Sequence, residues 1–248
     1  MSPVKAILGA GYPSYRTSSI PPIFCKPRSS PSCLAGLWAL LLFLIVSLGT
    51  GKGVQPVVSD AQIQGLERKY GSRAAKRGRT LNQRFQKWVK LNELEQLEAV
   101  NSFFNQIPYA TDQRLFGEAD YWQTPLQFLG RYAGDCEDFV IAKYFALRHL
   151  GVDEEKLFLT YVRATEQRVA HMVLSYFPSK KGMPLILDNY QKKIKPASQR
   201  GDLKPVYSFN ASSLFLARST GLGRSLPTDK VKNSKWDKLL IDIQRDKL

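Results

Sequence analysis

The chain has 248 residues, 44% hydrophobic and 23% charged, which excludes a disordered, collagenous or polytopic membrane protein and leaves room for one medium domain or two small ones. Three cysteines exclude a disulfide scaffold. Lys and Arg number 36 against 21 Asp and Glu, a formal charge of +15. A surface this basic suits nucleic acid, anionic lipid or an acidic protein, and charge alone does not choose among them.

Leu34 to Gly49 reads LAGLWALLLFLIVSLG, an uncharged run preceded by Lys26 and Arg28 and closed by Ser47, Gly49 and Gly51. A positive flank, an apolar stretch and a small-residue exit form the signal-peptide pattern. The run is short of the roughly 20 residues that a membrane span needs. The sequence therefore predicts export to the periplasm through a leader over residues 1–51, with an uncleaved N-terminal anchor as the alternative and its only membrane contact. Loss of the leader removes Cys25 and Cys33 and leaves Cys136 alone. A lone thiol in an oxidising compartment is either buried and inert or kept for its chemistry.

Residues 52–79 are polar, with a basic run from Arg68 to Arg79, and read as a linker with some helix ahead of a domain over 80–248. Thr80-Leu81-Asn82-Gln83 reads as a capping box. Phe85, Trp88, Leu91, Leu94, Leu97, Val100 and Phe103/Phe104 follow at helical spacing, which predicts one amphipathic helix of about six turns ending before Pro108. A loop with Gly117, Trp122 and Pro125 leads to Gly134. A second helix is predicted from Cys136 to Leu150, with Asp135 as N-cap and Gly151 just past its end. Beyond Gly151 the period becomes alternating. Leu157–Arg163, Val169–Phe177 and Pro184–Asn189 read as strands, Pro178–Met183 as a turn, Pro205–Phe209 as a further strand and Trp236–Leu248 as a short amphipathic helix. Helices first and an antiparallel sheet after predict an α+β fold.

The exported part holds two histidines, His149 and His171. His149 lies 13 residues beyond Cys136 on the same helix, about 20 Å away, and suits a helix C-terminus. His171 sits in the apolar strand Val-Ala-His-Met-Val, and Asp188 closes the next one. A structural histidine and a turn-forming aspartate would account for each separately. Yet the midpoint between them falls inside the Pro178–Met183 turn, so a hairpin centred there makes them face each other, and a carboxylate can then orient the imidazole. With Cys136 packed against that hairpin the three form a Cys-His-Asp triad. A helix start favours a thiolate at Cys136. Asp135, Glu137 and Asp138 crowd the same thiol and oppose it. These acids are either helix caps or ligands of a divalent cation, and carboxylate oxygens suit Ca²⁺. A backbone N–H at the helix start supplies one oxyanion donor, and the side chain of Trp122 or Gln123 is a candidate for the second.

The blocks Asp120–Pro125, Gly134–Phe139 continuing through Ala142–Phe145 to Leu150–Val152, His171–Leu174 and Pro184–Asn189, with the tail Arg200–Asn210, resemble in order and spacing the bacterial transglutaminase-like cysteine peptidases of the LapG type. The resemblance implies a papain-like, transglutaminase-like fold with Cys136, His171 and Asp188 catalytic. It implies a periplasmic protease that clips the N-terminal region of a large surface adhesin and promotes biofilm dispersal. It further implies dependence on Ca²⁺ held by Asp135, Glu137 and Asp138, and inhibition by an inner-membrane receptor for cyclic di-GMP. Ala211–Gly223 departs from the pattern. Two other classes use the same residues differently: a transglutaminase that transfers the acyl group to an amine, and a non-catalytic basic binding module. Export and the lack of a recognisable nucleic-acid motif argue against a nucleic-acid partner.

Overall fold

The apolar face that the sequence assigns to one helix from Thr80 is divided between two in the computed structural model of the chain, which describes residues 57–218, 220–226 and 234–245. The leader and its apolar run lie outside the described residues. Helix α1 spans Asp60–Tyr70, α2 Ser72–Trp88 and α3 Glu93–Phe104. Thr80 is therefore an interior residue of α2. The cap that acts lies further on: Asn92 Oδ1 accepts from the Glu95 N–H, and Glu95 Oε2 accepts from the Asn92 N–H, both at 3.0 Å.

Over its described length the stretch read as a linker is helical and packed. Ala74, Ala75 and Gly78 continue the buried face of Leu81, Phe85 and Trp88 upstream of Thr80. Small residues serve there because α1 lies close: a Cβ on Gly78 would come within 3.1 Å of Leu66. Leu66 and Phe85 are wholly buried, each contributing roughly 1.5–3 kcal/mol of transfer free energy.

The predicted loop before Gly134 contains two short helices, α4 (Asp112–Phe116) and α5 (Pro125–Arg131). Arg77 of α2 holds the end of α5 by donating to the Leu129 and Gly130 carbonyls at 2.7 and 2.5 Å. Helix α6 (Cys136–His149) matches the predicted second helix, and Gly151 beyond it takes φ +94°, which its lack of a Cβ permits.

The strands are β1 (Leu157–Ala164), β2 (Val169–Tyr176), β3 (Leu185–Leu187), β4 (Lys195–Pro196), β5 (Leu203–Phe209), β6 (Leu214–Arg218) and β7 (Gly221–Leu226). They form one antiparallel sheet in the order β4-β3-β2-β1-β5-β6-β7. The last two strands occupy the stretch that departs from the family pattern. Helix α6 packs on β2 and β1, where Leu159, Met172, Leu174 and Leu187 join Phe139 and Leu147 in the main core. Val162, Ala164, Val173, Ile186 and Leu203 alternate to a second, smaller cluster. Helix α7 (Ser234–Arg245) sets Trp236 against Tyr144, Phe145 and Phe209. The α+β architecture, with helices leading and an antiparallel sheet following, is the one the sequence predicts. Among the described residues no helix is long and apolar enough to cross a membrane.

Candidate active site

The chain enters α6 through Gly134-Asp135-Cys136. A Cβ on Gly134 would lie 2.8 Å from Gln123 Nε2 and closer still to Asp138, so only glycine fits. Asp135 is extended as an N-cap should be (φ −106°, ψ −167°), and its N–H donates to Asp138 Oδ2 at 3.2 Å. Cys136 is the first residue of the helix and is 8% exposed. Its thiol donates to Glu137 Oε2 at 2.8 Å. Burial pushes this thiol well above its ordinary pKa, and the charges on Glu137 and Asp135 push the same way. A hydrogen bond from the Met172 backbone N–H opposes them, and it sets the sulfur against the residue that follows His171.

His171 and Asp188 meet on the neighbouring strands as predicted, but in a different register. Leu174 faces Leu187, whereas a facing His171–Asp188 pair would require Leu174 to face Leu185. The hairpin is offset by two residues, one full side-chain period, so both side chains stay on one face and approach on the diagonal. His171 Nε2 lies 2.8 Å from Asp188 Oδ1, with both residues about 1% exposed. Along the extended register Tyr190 falls opposite His171, and its ring stacks on the imidazole, with centroids 4.2 Å apart and planes 3° from parallel. His171 Nδ1 is buried and has no hydrogen-bond partner among the described residues, which leaves it for a thiol proton.

Asp188 is fully bound. Its Oδ1 also accepts from the Tyr190 N–H at 3.0 Å, its Oδ2 accepts from Arg200 at 2.7 Å, and its carbonyl accepts from Asn105, just past the end of α3, at 2.8 Å. Burial alone would raise its pKa. The hydrogen bond and charge of His171 and the bond from Arg200 outweigh burial and bring it down to about 2. Lys143, two turns beyond Cys136 on α6, is wholly buried, and its Nζ has no hydrogen-bond partner among the described residues. Burial lowers it to about 7 against the opposing charge of Asp188.

Asp112 joins two of the predicted acids in one cluster. Asp112, Asp135 and Asp138 each bring an oxygen within 4.8 Å of the others. Glu137 stands beside them with Oε2 on the Cys136 thiol. Asp138 is also the brace of the loop, accepting from the Gln123 N–H at 2.9 Å and from Gln123 Nε2 at 2.6 Å. Burial and the charges of Glu137 and Asp138 push Asp135 up to about 10. Burial raises Asp138 to about 7 despite its bonds from Gln123, and burial raises Asp112 too. Asp112 Oδ1 and Asp135 Oδ1 are buried with no hydrogen-bond partner among the described residues. Hard oxygens left unsatisfied at a site of excess negative charge fit a bound Ca²⁺.

Three further residues settle by contact. Gln123 Nε2 is committed to Asp138 and to the Ala133 carbonyl, 3.0 Å away, and so has no N–H left for an oxyanion. Trp122 Nε1 is buried without a hydrogen-bond partner among the described residues and stays the candidate second donor. His149 packs edge-on against Phe85 at 5.4 Å, the structural role its place at the helix end suggested. Asp112, Tyr190, Lys143 and Arg200 are the residues sequence reasoning missed. Asp112 looks like an ordinary acid in the first turn of a helix, and Arg200 like one more base in a basic chain.

Comparison with known proteins gives the family of the chain. Residues 69–203 match the family described as bacterial transglutaminase-like cysteine proteinase BTLCP. Comparison with curated proteins finds no match. Among solved structures the chain is similar to calcium-bound LapG of Legionella pneumophila, at 41% identity and a TM-score of 0.64 over 75% of this chain and 99% of that one. EGTA-treated LapG from the same organism gives 41% and 0.64 over 76% of this chain and 100% of that one. A third LapG structure gives 41% and 0.63, covering 76% and 99%. The chain belongs to the bacterial transglutaminase-like cysteine proteinases and is a cysteine peptidase of the LapG type.

Proposed function

We propose that this peptidase is a calcium-dependent periplasmic enzyme that cleaves the N-terminal region of a large cell-surface adhesin and thereby promotes biofilm dispersal. The observation that carries the calcium reading is the pair of unsatisfied buried oxygens on Asp112 and Asp135 beside the Cys136 thiol. The calcium-bound and EGTA-treated states of the 41% identical LapG support it. The adhesin substrate, and inhibition by an inner-membrane cyclic di-GMP receptor, rest on the resemblance to the LapG type. Periplasmic location rests on the N-terminal apolar run and its basic flank.

In this reading Cys136 is the nucleophile. His171 Nδ1 takes the thiol proton, and Nε2–H stays on Asp188 Oδ1, which stabilises the imidazolium. The sulfur attacks the peptide carbonyl, and the first free N–H groups of α6 receive the oxyanion. His171 then gives its proton to the leaving amine, and water attacks the acyl-enzyme with His171 again as base. Asp112, Asp135 and Asp138, with Glu137 adjoining, would hold Ca²⁺. The bound ion supplies positive charge that offsets the acids opposing a thiolate.

The test is incubation of the enzyme with N-terminal adhesin fragments in calcium or in excess chelator, with products read by mass. Cleavage that stops in chelator and returns with calcium supports the proposal. Full cleavage in chelator rejects the calcium requirement. A product carrying an added primary amine would identify acyl transfer instead.

A further inference from the structure

Arg200 lies on neither the cysteine helix nor the hairpin, yet it is 4% exposed and reaches Asp188 from behind. Its Nη2 donates to Asp188 Oδ2 at 2.7 Å and to Asp202 Oδ2 at 2.7 Å, and its Nε donates to Asp202 Oδ1 at 2.9 Å. Asp202 therefore grips one edge of the guanidinium, through Nε–H and one Nη2–H, and the other Nη2–H meets the oxygen of Asp188 that His171 does not use. A planar fork fixes direction in a way that a single ammonium cannot. Without Arg200, Oδ2 would be a buried carboxylate oxygen with no strong donor, and rotation of the carboxylate would take Oδ1 away from His171. Lys143 is the other buried cation near Asp188, but its Nζ makes no hydrogen bond among the described residues, so it does not fix an orientation.

We propose that Arg200, held by Asp202, is a positioning residue that keeps Asp188 aimed at His171; the proposal rests on the triad reading above. Arg200 acts through Asp188; its hydrogen bonds go to Asp188 and Asp202 and not to Cys136. It adds a fourth and fifth member to the line Cys136–His171–Asp188.

A mutant cycle on the full chain, with an adhesin fragment as substrate and single-turnover rates for the slow variants, tests this. Arg200→Met should lower kcat roughly ten- to hundredfold with KM unchanged, the size expected for a hydrogen bond to a charged group. Arg200→Lys should recover part of that loss. In an Asp188→Asn background Arg200→Met should cost nothing more. The downfield imidazole N–H resonance of His171 should move in Arg200→Met while the rest of the spectrum keeps its folded dispersion. Wild-type kcat in Arg200→Met, or an undiminished effect in the Asp188→Asn background, overturns the proposal. Full activity of Asp188→Asn alone would instead overturn the triad reading. Should Arg200→Met not fold, the more exposed Asp202→Asn decides: a smaller fall in kcat at constant KM supports the grip, and wild-type kcat overturns it.

Discussion

At the hairpin end of the site, Asp188 is buried and carries a negative charge, and every lone pair that matters has a donor: His171, Tyr190 and Arg200. At the helix end, Asp112, Asp135 and Asp138 are packed as tightly with Glu137 at their side, and no cationic side chain bonds them among the described residues. The same residue type thus has a pKa brought down to about 2 in one place and pushed up to about 10 in the other. The protein's own side chains complete the first region. The second is balanced only by protons or by a cation from outside, and its charges add to burial in pushing up the Cys136 thiol. Under the calcium dependence proposed above, an ion at this end would switch the site without any change in its triad.

The largest effects come from the line that joins the two ends. Cys136→Ala should reduce cleavage on the order of 10⁴-fold or more while the fold persists, because Ala is small and has high helix propensity. His171→Ala should be comparable. Cleavage by a folded Cys136→Ala protein would remove the nucleophile assignment.

Next in size is the response of the acid cluster. Calcium should raise Tm, with a stabilisation of about 2.7 kcal/mol at a hundredfold excess over Kd. Asp112→Asn should do two opposite things: raise the Tm of the chelator-treated protein by relieving repulsion, and weaken calcium binding. Thermal unfolding with and without calcium measures both. A lower Tm in chelator with calcium binding intact would make Asp112 a structural acid.

The hairpin end should respond to pH in its own direction. The folded pKa of Asp188 lies below the ordinary 3.8, so its contribution is fully present above about 4 and is lost as pH falls toward about 2. The stake is about 2 kcal/mol. Acid unfolding of Asp188→Asn should be shallower than that of the wild type in this window. Equal slopes would mean that Asp188 is not held ionised by its partners. The smallest effect is expected at His149→Ala, which should leave kcat/KM unchanged and cost about 1 kcal/mol of packing. Loss of activity there would contradict the choice of His171.

Much of this was legible in the sequence, and the misses share a physical cause. The cysteine helix was readable from Asp135 to Gly151 because a cap, a packed face and a C-terminal glycine all agree. The hairpin partners were found with the wrong register, and the error was harmless because a two-residue slip preserves the face. The first half of α2 was hidden because its buried positions are Ala74, Ala75 and Gly78 among Arg and Lys, which a search for large apolar residues passes over, and α1 because its eleven residues bury only Ile63, Gly65 and Leu66. Asn92-x-x-Glu95 was a true capping box masked by the weaker signal at Thr80. Asp112 and Arg200 were out of reach: Asp112 meets Asp135, and Arg200 meets Asp188, only through tertiary contact, 23 and 12 residues away in the chain.

The central claim is that a cation in the acid cluster reverses the field on the Cys136 thiol, and one measurement addresses it without any substrate. The rate of Cys136 alkylation by neutral iodoacetamide, read by peptide mass at fixed pH, is followed against free calcium in the wild type and in Asp135→Asn. The rate should rise with calcium in the wild type, and in Asp135→Asn it should be largely independent of calcium. A wild-type rate indifferent to calcium, or a calcium response undiminished in Asp135→Asn, would contradict the account and return these acids to the role of helix caps.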